Sequence, residues 1–231
     1  MSKEKKTYVV LEFAAINGYY DKTKKYAIIE ENIVEVAAIK IEENKISDYY
    51  HSFIAIDDCD PHNIALGSVH MPAYYLQAEH LISAPSFEKV ARTLSEYLDG
   101  ATLILRPTIY TETLYSTFKE KATRYGYTFN NVTVDLKDIF TAAKLKSAAN
   151  DLQIKLDDCD VLTTAPLLAS PNVTWADMFK AYGIIFDIDG EESKKNGRDD
   201  PLGWALACAR LVIAIITSHK EIIYEDEIYN I

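Results

Sequence analysis

The chain has 231 residues, 48% hydrophobic and 26% charged, proportions that suit a globular protein with a substantial core. Its 35 acidic and 24 basic residues give a net charge of −11, which disfavours sequence-independent binding to phosphate backbones unless the basic residues cluster or divalent cations intervene. Three scattered cysteines, Cys59, Cys159 and Cys208, exclude a disulfide framework or a zinc motif and point to a reducing, cytoplasmic setting.

In chain order, the charged opening MSKEKK leads into an apolar run without a small-residue cleavage site, so no targeting segment is expected. Thr7–Asn17 (TYVVLEFAAIN) predicts a core strand over Tyr8–Phe13 and a turn at Asn17-Gly18. One residue is out of place there. Glu12 is a carboxylate among Val, Leu and Phe, costly unless paired, metal-bound or at the strand's exposed end. Gly18–Lys25 reads as a polar turn carrying Tyr19 and Tyr20. Ile33–Ile41 and Ile46–Ile56 predict two further strands joined as a hairpin across Glu42–Lys45. Asp57–Gly67 reads as loop.

Ser86–Leu98 predicts a helix: Phe87, Val90, Ala91, Leu94, Tyr97 and Leu98 fall at helical spacing, with Ser86 as N-cap and Gly100 beyond the end. Ala101–Leu105 reads as a short buried strand, Thr111–Tyr125 as a helix ended by Gly126, and Val132–Leu136 as a fifth strand. Helices are predicted at Leu136–Lys144, Trp175–Tyr182 and Leu202–Ser218. Asp200-Pro201 is a start signal for the last, with Asp as N-cap and Pro at the first helical position. The apolar stretch Leu202–Thr217 carries Arg210 and is shorter than the ~20 residues of a membrane span, so it reads as a buried helix and no membrane partner is expected. Leu145–Ser170 is poorly periodic and is expected to be an insertion. IDDCD at 56–60 and LDDCD at 156–160 read as solvated loops rather than a cation site. Residues 220–231 (KEIIYEDEIYNI) form an acidic C-terminal tail, either a docking segment or a last packed element. His51, His62, His70, His80 and His219 lack mutual metal-site spacing and are taken as structural or surface.

Three strands followed by alternating helices and strands predict an α/β domain over 1–219, with a mixed five-stranded central sheet flanked by helices. The order of elements and several strings resemble the DEDDh family of 3′–5′ exonucleases, the ribonuclease H-like group that includes polymerase proofreading subunits. LEFAAIN stands where that family has a strand ending Asp-x-Glu-Thr, and IVEVAAIKIEENKI where it has its hairpin. LISAPSFEKV, ILRPTIYTETLY, MFKAYGI and WALACARLV follow in the family's order, so the resemblance spans roughly Thr7 to His219.

The chemistry implied by this resemblance uses four carboxylates and one histidine. The carboxylates hold two divalent ions about 4 Å apart that activate a water and stabilise the leaving oxygen, and the histidine takes the water's proton. Carried onto this chain, the first Asp position is Glu12 and the Glu position is Ala14. The second Asp is Thr111, the histidine is Asp199, and the last Asp is Trp204. Ligand charge falls from four carboxylates to one, too little for two hard cations, so no metal cofactor is expected. Two readings of Glu12 stand: a rebuilt metal site with Asp199 and Asp200, or a bond to Thr111 or a backbone group in a vacated cleft. Trp204 is either an aromatic plug or a stacking platform for a base. Tyr19 and Tyr20 are cleft-lining candidates or half-buried surface residues. Arg106, where the family has His-Asn, reaches a phosphate or pairs with Glu12.

The expectation is a catalytically inactive exonuclease-like protein. It would act as a binding or regulatory module for a protein partner or a single-stranded nucleic-acid end. The alternative is a slow or remodelled exonuclease on DNA or RNA that uses Mg or Mn.

Overall fold

The computed structural model describes residues 6–21, 26–56, 78–106, 109–151, 175–184 and 201–218. Five strands, β1 (Tyr8–Asp21), β2 (Tyr26–Glu42), β3 (Lys45–Phe53), β4 (Thr102–Leu105) and β5 (Thr133–Asp135), form one sheet in the order β3-β2-β1-β4-β5. β1 pairs β2 and β2 pairs β3 antiparallel, while β1–β4 and β4–β5 are parallel, so the sheet is mixed as expected. The helices are α1 (Ala78–Ile82), α2 (Phe87–Tyr97), α3 (Ile109–Arg124), α4 (Leu136–Asp151), α5 (Trp175–Ala181) and α6 (Pro201–Ser218).

The sheet is covered on both faces, which is why its central strand is a nearly continuous apolar run. Val9, Leu11 and Phe13 of β1 join Val36 and Ala38 of β2 in a core under α2 and α3, with Phe87, Leu94 and Phe118. Val10, Ile39 and Ile104 face the other way, into a core built with α4, α5 and α6. α6 is long and apolar enough to pass for a membrane span by composition. Its Trp204, Cys208, Leu211, Val212 and Ile215 are instead buried against the sheet, each large apolar side chain contributing roughly 1.5–3 kcal/mol.

The punctuation read from the sequence recurs in the structure. Ser86 caps α2 by accepting from the Lys89 N–H at 3.4 Å, and Pro201 is the first residue of α6. Gly100 and Gly126 follow α2 and α3 at φ 67° and 85°, values that a side chain would strain. At the β2–β3 hairpin, Glu43 and Asn44 take positive φ (51° and 61°) without a glycine.

Two expectations are corrected and one element is added. The turn predicted at Asn17-Gly18 is strand: β1 runs to Asp21, within the stretch Gly18–Lys25 expected to be a polar turn, pairing Tyr19 with Ile28 and Tyr20 with Ala27. Gly18 is absorbed as an irregularity between Asn17 and Tyr19, and the aromatic and β-branched neighbours on both sides favour continued pairing. The helix expected over Leu136–Lys144 extends to Asp151 as α4. α1 was not foreseen; five residues are too few to show a helical period. Residues 152–170, both DDCD loops beyond Ile56 and the 220–231 tail lie outside the described residues.

Candidate functional site

The site follows from the register of the central strands. β1 and β4 run parallel with Leu11 opposite Leu105, so Arg106, the next residue after β4, emerges beside Glu12. Glu12 lies on the α6 side of the sheet, on the same face as Val10, and its neighbour across β2 is Ala37, too small to fill the space above it. A bulge between Ala14 and Ala15, which pair with Glu35 and Ile33, sits beside this position. Such an extra residue re-aims side chains next to functional sites.

Glu12 is 1% exposed and Arg106 12%. The Arg106 guanidinium donates twice to the Glu12 carboxylate, Nε to Oε1 at 3.0 Å and Nη2 to Oε2 at 3.2 Å, a bidentate fork. Its other face lies 4.2 Å from the ring centroid of Trp204, a cation–π contact. Trp204 is itself buried at the head of α6 and tilts against Phe179 of α5. One α6 turn later Cys208 is fully buried. Burial, with the Glu12 charge adding, pushes its thiol well up, against the opposing Arg106 charge. Burial also holds the Glu12 carboxyl above the usual carboxylate range, while the charge and hydrogen bonds of Arg106 pull it back.

The structure thus brings together three residues singled out from the sequence, Glu12, Arg106 and Trp204, as a stack of carboxylate, guanidinium and indole. Of the partners considered, Thr111, a backbone group or Arg106, the one that bonds Glu12 is Arg106. Thr111 is buried in the first turn of α3. Ala14 lies two residues past Glu12, nearly buried. Tyr19 and Tyr20 follow Glu12 by seven and eight residues along β1, roughly 23–26 Å of strand. Asp199 and Asp200 lie outside the described residues.

Among the described residues, this set is short of ligands for a two-ion centre. Both Glu12 oxygens accept from Arg106, and alanine, threonine and tryptophan stand at three of the positions where the resemblance implies carboxylates. Among the described residues, no group of three or more His, Cys, Asp or Glu is arranged to hold a metal.

One pairing escaped the sequence reading. Glu35 of β2, 1% exposed, lies 2.6 Å from Nε2 of His51 on β3, and its Cα is opposite Ala14. The adjacent Phe53 stacks on His80 at a 4.7 Å centroid distance. The available signal was the same as for Glu12: a lone carboxylate in IVEVAAIK, an otherwise apolar strand. At the far side of the site, Asp135 is pushed up to about 6 by burial, with the charges of Asp138 and Glu112 adding and a hydrogen bond from the Lys137 N–H opposing.

No protein-family model and no curated protein sequence matches the chain. Solved structures do. The nuclease domain of 3′hExo, a DEDDh family member bound to rAMP, matches over 95% of this chain and 96% of its own length, with a TM-score of 0.53 and 11% identity. A 3′-exonuclease that recognises the 3′ end of histone mRNA stem-loop matches over 94% of this chain and 65% of that one (TM-score 0.53, 9% identity). Exonuclease I matches over 92% of this chain (TM-score 0.54, 9% identity), though the chain spans only 41% of that protein. The fold is therefore that of the DEDDh-type 3′-exonucleases, a ribonuclease H-like α/β sheet flanked by helices.

Proposed function

We propose that the protein is a non-catalytic member of this fold, in which the cleft that would hold metal ions is sealed from within and serves binding or regulation. The observation that carries this reading is Arg106, bidentate on Glu12 and stacked on Trp204. A fixed guanidinium supplies the positive charge that Glu12 requires, bonds both carboxylate oxygens, and so competes with any cation there. Nothing in the stack is a nucleophile, and it offers no free base to deprotonate a water.

The ligand is a protein partner or a single-stranded nucleic-acid end. In support, 3′hExo is found bound to rAMP and exonuclease I in a complex with SSB-Ct. The remodelled-exonuclease alternative needs ligands from Asp199 and Asp200 and the departure of Arg106 from Glu12.

The test is direct. Labelled single-stranded DNA and RNA are incubated with the protein in Mg²⁺ and in Mn²⁺, beside Glu12→Gln. The expected result is intact strands throughout. Shortening by the wild type that disappears in Glu12→Gln would overturn the reading.

A further inference from the structure

Glu12 has a second buried carboxylate as its neighbour. In the β1–β2 ladder Glu12 stands opposite Ala37 and Ala14 opposite Glu35, so the two glutamates are diagonal neighbours on adjacent strands. Side chains two residues apart on a strand share a face, and Val10 and Ala37 place that face on the α6 side of the sheet. Such diagonal positions lie about 7–8 Å apart, closer at their side chains. Both glutamates are 1% exposed, and the residue opposite each is an alanine.

Each carboxylate is held from its outer side. Arg106, after β4, forks onto Glu12, and Nε2 of His51 on β3 lies 2.6 Å from Glu35. The face thus carries one row: imidazole, carboxylate, carboxylate, guanidinium. The two ends of the row differ in kind. Arginine stays charged throughout the working range of a protein, whereas histidine changes charge between about pH 5 and 8. His51 is also 26% exposed, so its proton can exchange with water.

We infer that His51 is a proton-operated latch on the seal of the cleft. The inference rests on the reading of that cleft as closed from within and adds how the closure is regulated. With His51 protonated on both nitrogens, each buried carboxylate has its own cation, and Arg106 stays on Glu12, flat against Trp204. With His51 neutral, the ring still makes its hydrogen bond but returns no charge to Glu35. Two adjacent carboxylates then draw on one guanidinium, and like charges in a poorly solvated site repel strongly. Arg106 is pulled from its fork toward Glu35 and away from the indole. Acid tightens the seal and base loosens it. The other titratable groups near the row, among the described residues, are the Cys208 thiol of α6 and His80 of α1, which stacks on Phe53 beside His51. Lys40, Asp48 and Tyr97 belong to the opposite face of the sheet. Asp135, paired with Leu105 on the far side of Arg106 and pushed up to about 6, is the competing titrant.

Trp204 reports the latch, because a guanidinium leaving its ring changes the emission of the indole. The full-length protein carrying Trp175→Phe, with Trp204 as its one remaining tryptophan, is titrated from about pH 5 to pH 8. The expected result is a single transition in Trp204 emission whose midpoint matches that of the His51 ring protons followed by NMR in the same protein. His51→Gln, neutral throughout, should show the high-pH emission across the range, and His51→Lys should hold the low-pH emission. Asp135→Asn and His80→Gln should leave the transition in place. Emission that does not change with pH, a midpoint that departs from that of His51, or a transition that survives His51→Gln would overturn the inference. The NMR comparison needs no substitution at His51, so a variant that misfolds still leaves the question decided. A flat titration beside intact strands in the nuclease assay would sink the latch alone, and shortened strands would sink the non-catalytic reading by themselves.

Discussion

At the residue scale the question is what keeps Glu12 and Arg106 together in a nearly dry setting. Each ion loses several kcal/mol of hydration on burial, and the fork and the indole return part of it. Removing one partner is much worse than having neither. Arg106→Gln leaves Glu12 buried opposite a neutral side chain, and the expected cost is about 3–5 kcal/mol, measured by urea unfolding. The pH dependence follows from sign. Burial holds the Glu12 carboxyl above its unfolded value even with Arg106 present. Without Arg106, the two lowering influences vanish and the folded pKa rises further. A raised carboxyl contributes stability that is complete below its unfolded pKa and is lost as pH rises through the folded one. The Arg106→Gln deficit should therefore be smallest near pH 4 and grow toward pH 8. A deficit independent of pH would mean that Glu12 does not sense the substitution. All three members of the stack were readable as candidates in the sequence. Pairing of Arg106 with Glu12 was one of two readings open to it, and the sequence could not choose between them because the residues are 94 apart and meet through the parallel register of β1 with β4.

At the element scale, local chemistry set the ends of most helices, and those ends were legible because caps and left-handed glycines act over three or four residues. Ser86→Ala removes the acceptor for the Lys89 N–H. With a bond as long as 3.4 Å, the loss should be near the lower end of the ~0.5–2 kcal/mol range for caps, visible as a lowered urea midpoint. α4 offers a sharper case. Asp135 stands just before Leu136 and accepts from the Lys137 N–H at 2.6 Å, yet burial and the acids at 112 and 138 push its carboxyl up to about 6. With its folded pKa above the unfolded one, its contribution is complete below about pH 4 and is lost as pH rises through about 6. Asp135→Asn keeps the acceptor and removes the titration. The wild type should gain stability relative to this variant as pH falls from 7 to 4, read from paired urea midpoints; parallel midpoints across that range would refute the assignment. The ribbon of β1 with β2 was the element that local chemistry hid. Gly18, a turn signal when read alone, is accommodated as an irregularity in a ladder whose pairing is decided by strand propensity on both sides. The Glu35–His51 pair was hidden for a related reason, since a bulge at Ala14/Ala15 and an irregularity at Lys40/Ile41 obscure which residues share a face.

At the scale of the whole molecule, the fold and the proposed site rest on different features of the sequence. The sheet order, the mixed pairing and the helices on both faces match the exonucleases at 9–11% identity, because this architecture depends on apolar alternation and connection lengths that many sequences satisfy. The cleft that the resemblance implies depends on four or five particular side chains, and on the proposed reading the stack of Glu12, Arg106 and Trp204 stands in their place. A metal that binds only the native state stabilises it in proportion to occupancy, so millimolar Mg²⁺ or Mn²⁺ should raise the unfolding temperature no more than a matched monovalent salt does. The converse is more demanding. Trp204→Asp alone would leave Arg106 still forked on Glu12 and add a second carboxylate to a site that already holds its cation, so no response to metal is expected from it. Only when Arg106 is also removed, with Ala14→Glu and Thr111→Asp returned beside Glu12, does the cleft combine several oxygen ligands with no competing guanidinium. In that quadruple variant, Mn²⁺ should raise the unfolding temperature by several degrees, in contrast to Trp204→Asp by itself. A metal response in the single variant would mean that Arg106 yields readily to cations, and the seal on the cleft would then be conditional rather than built in.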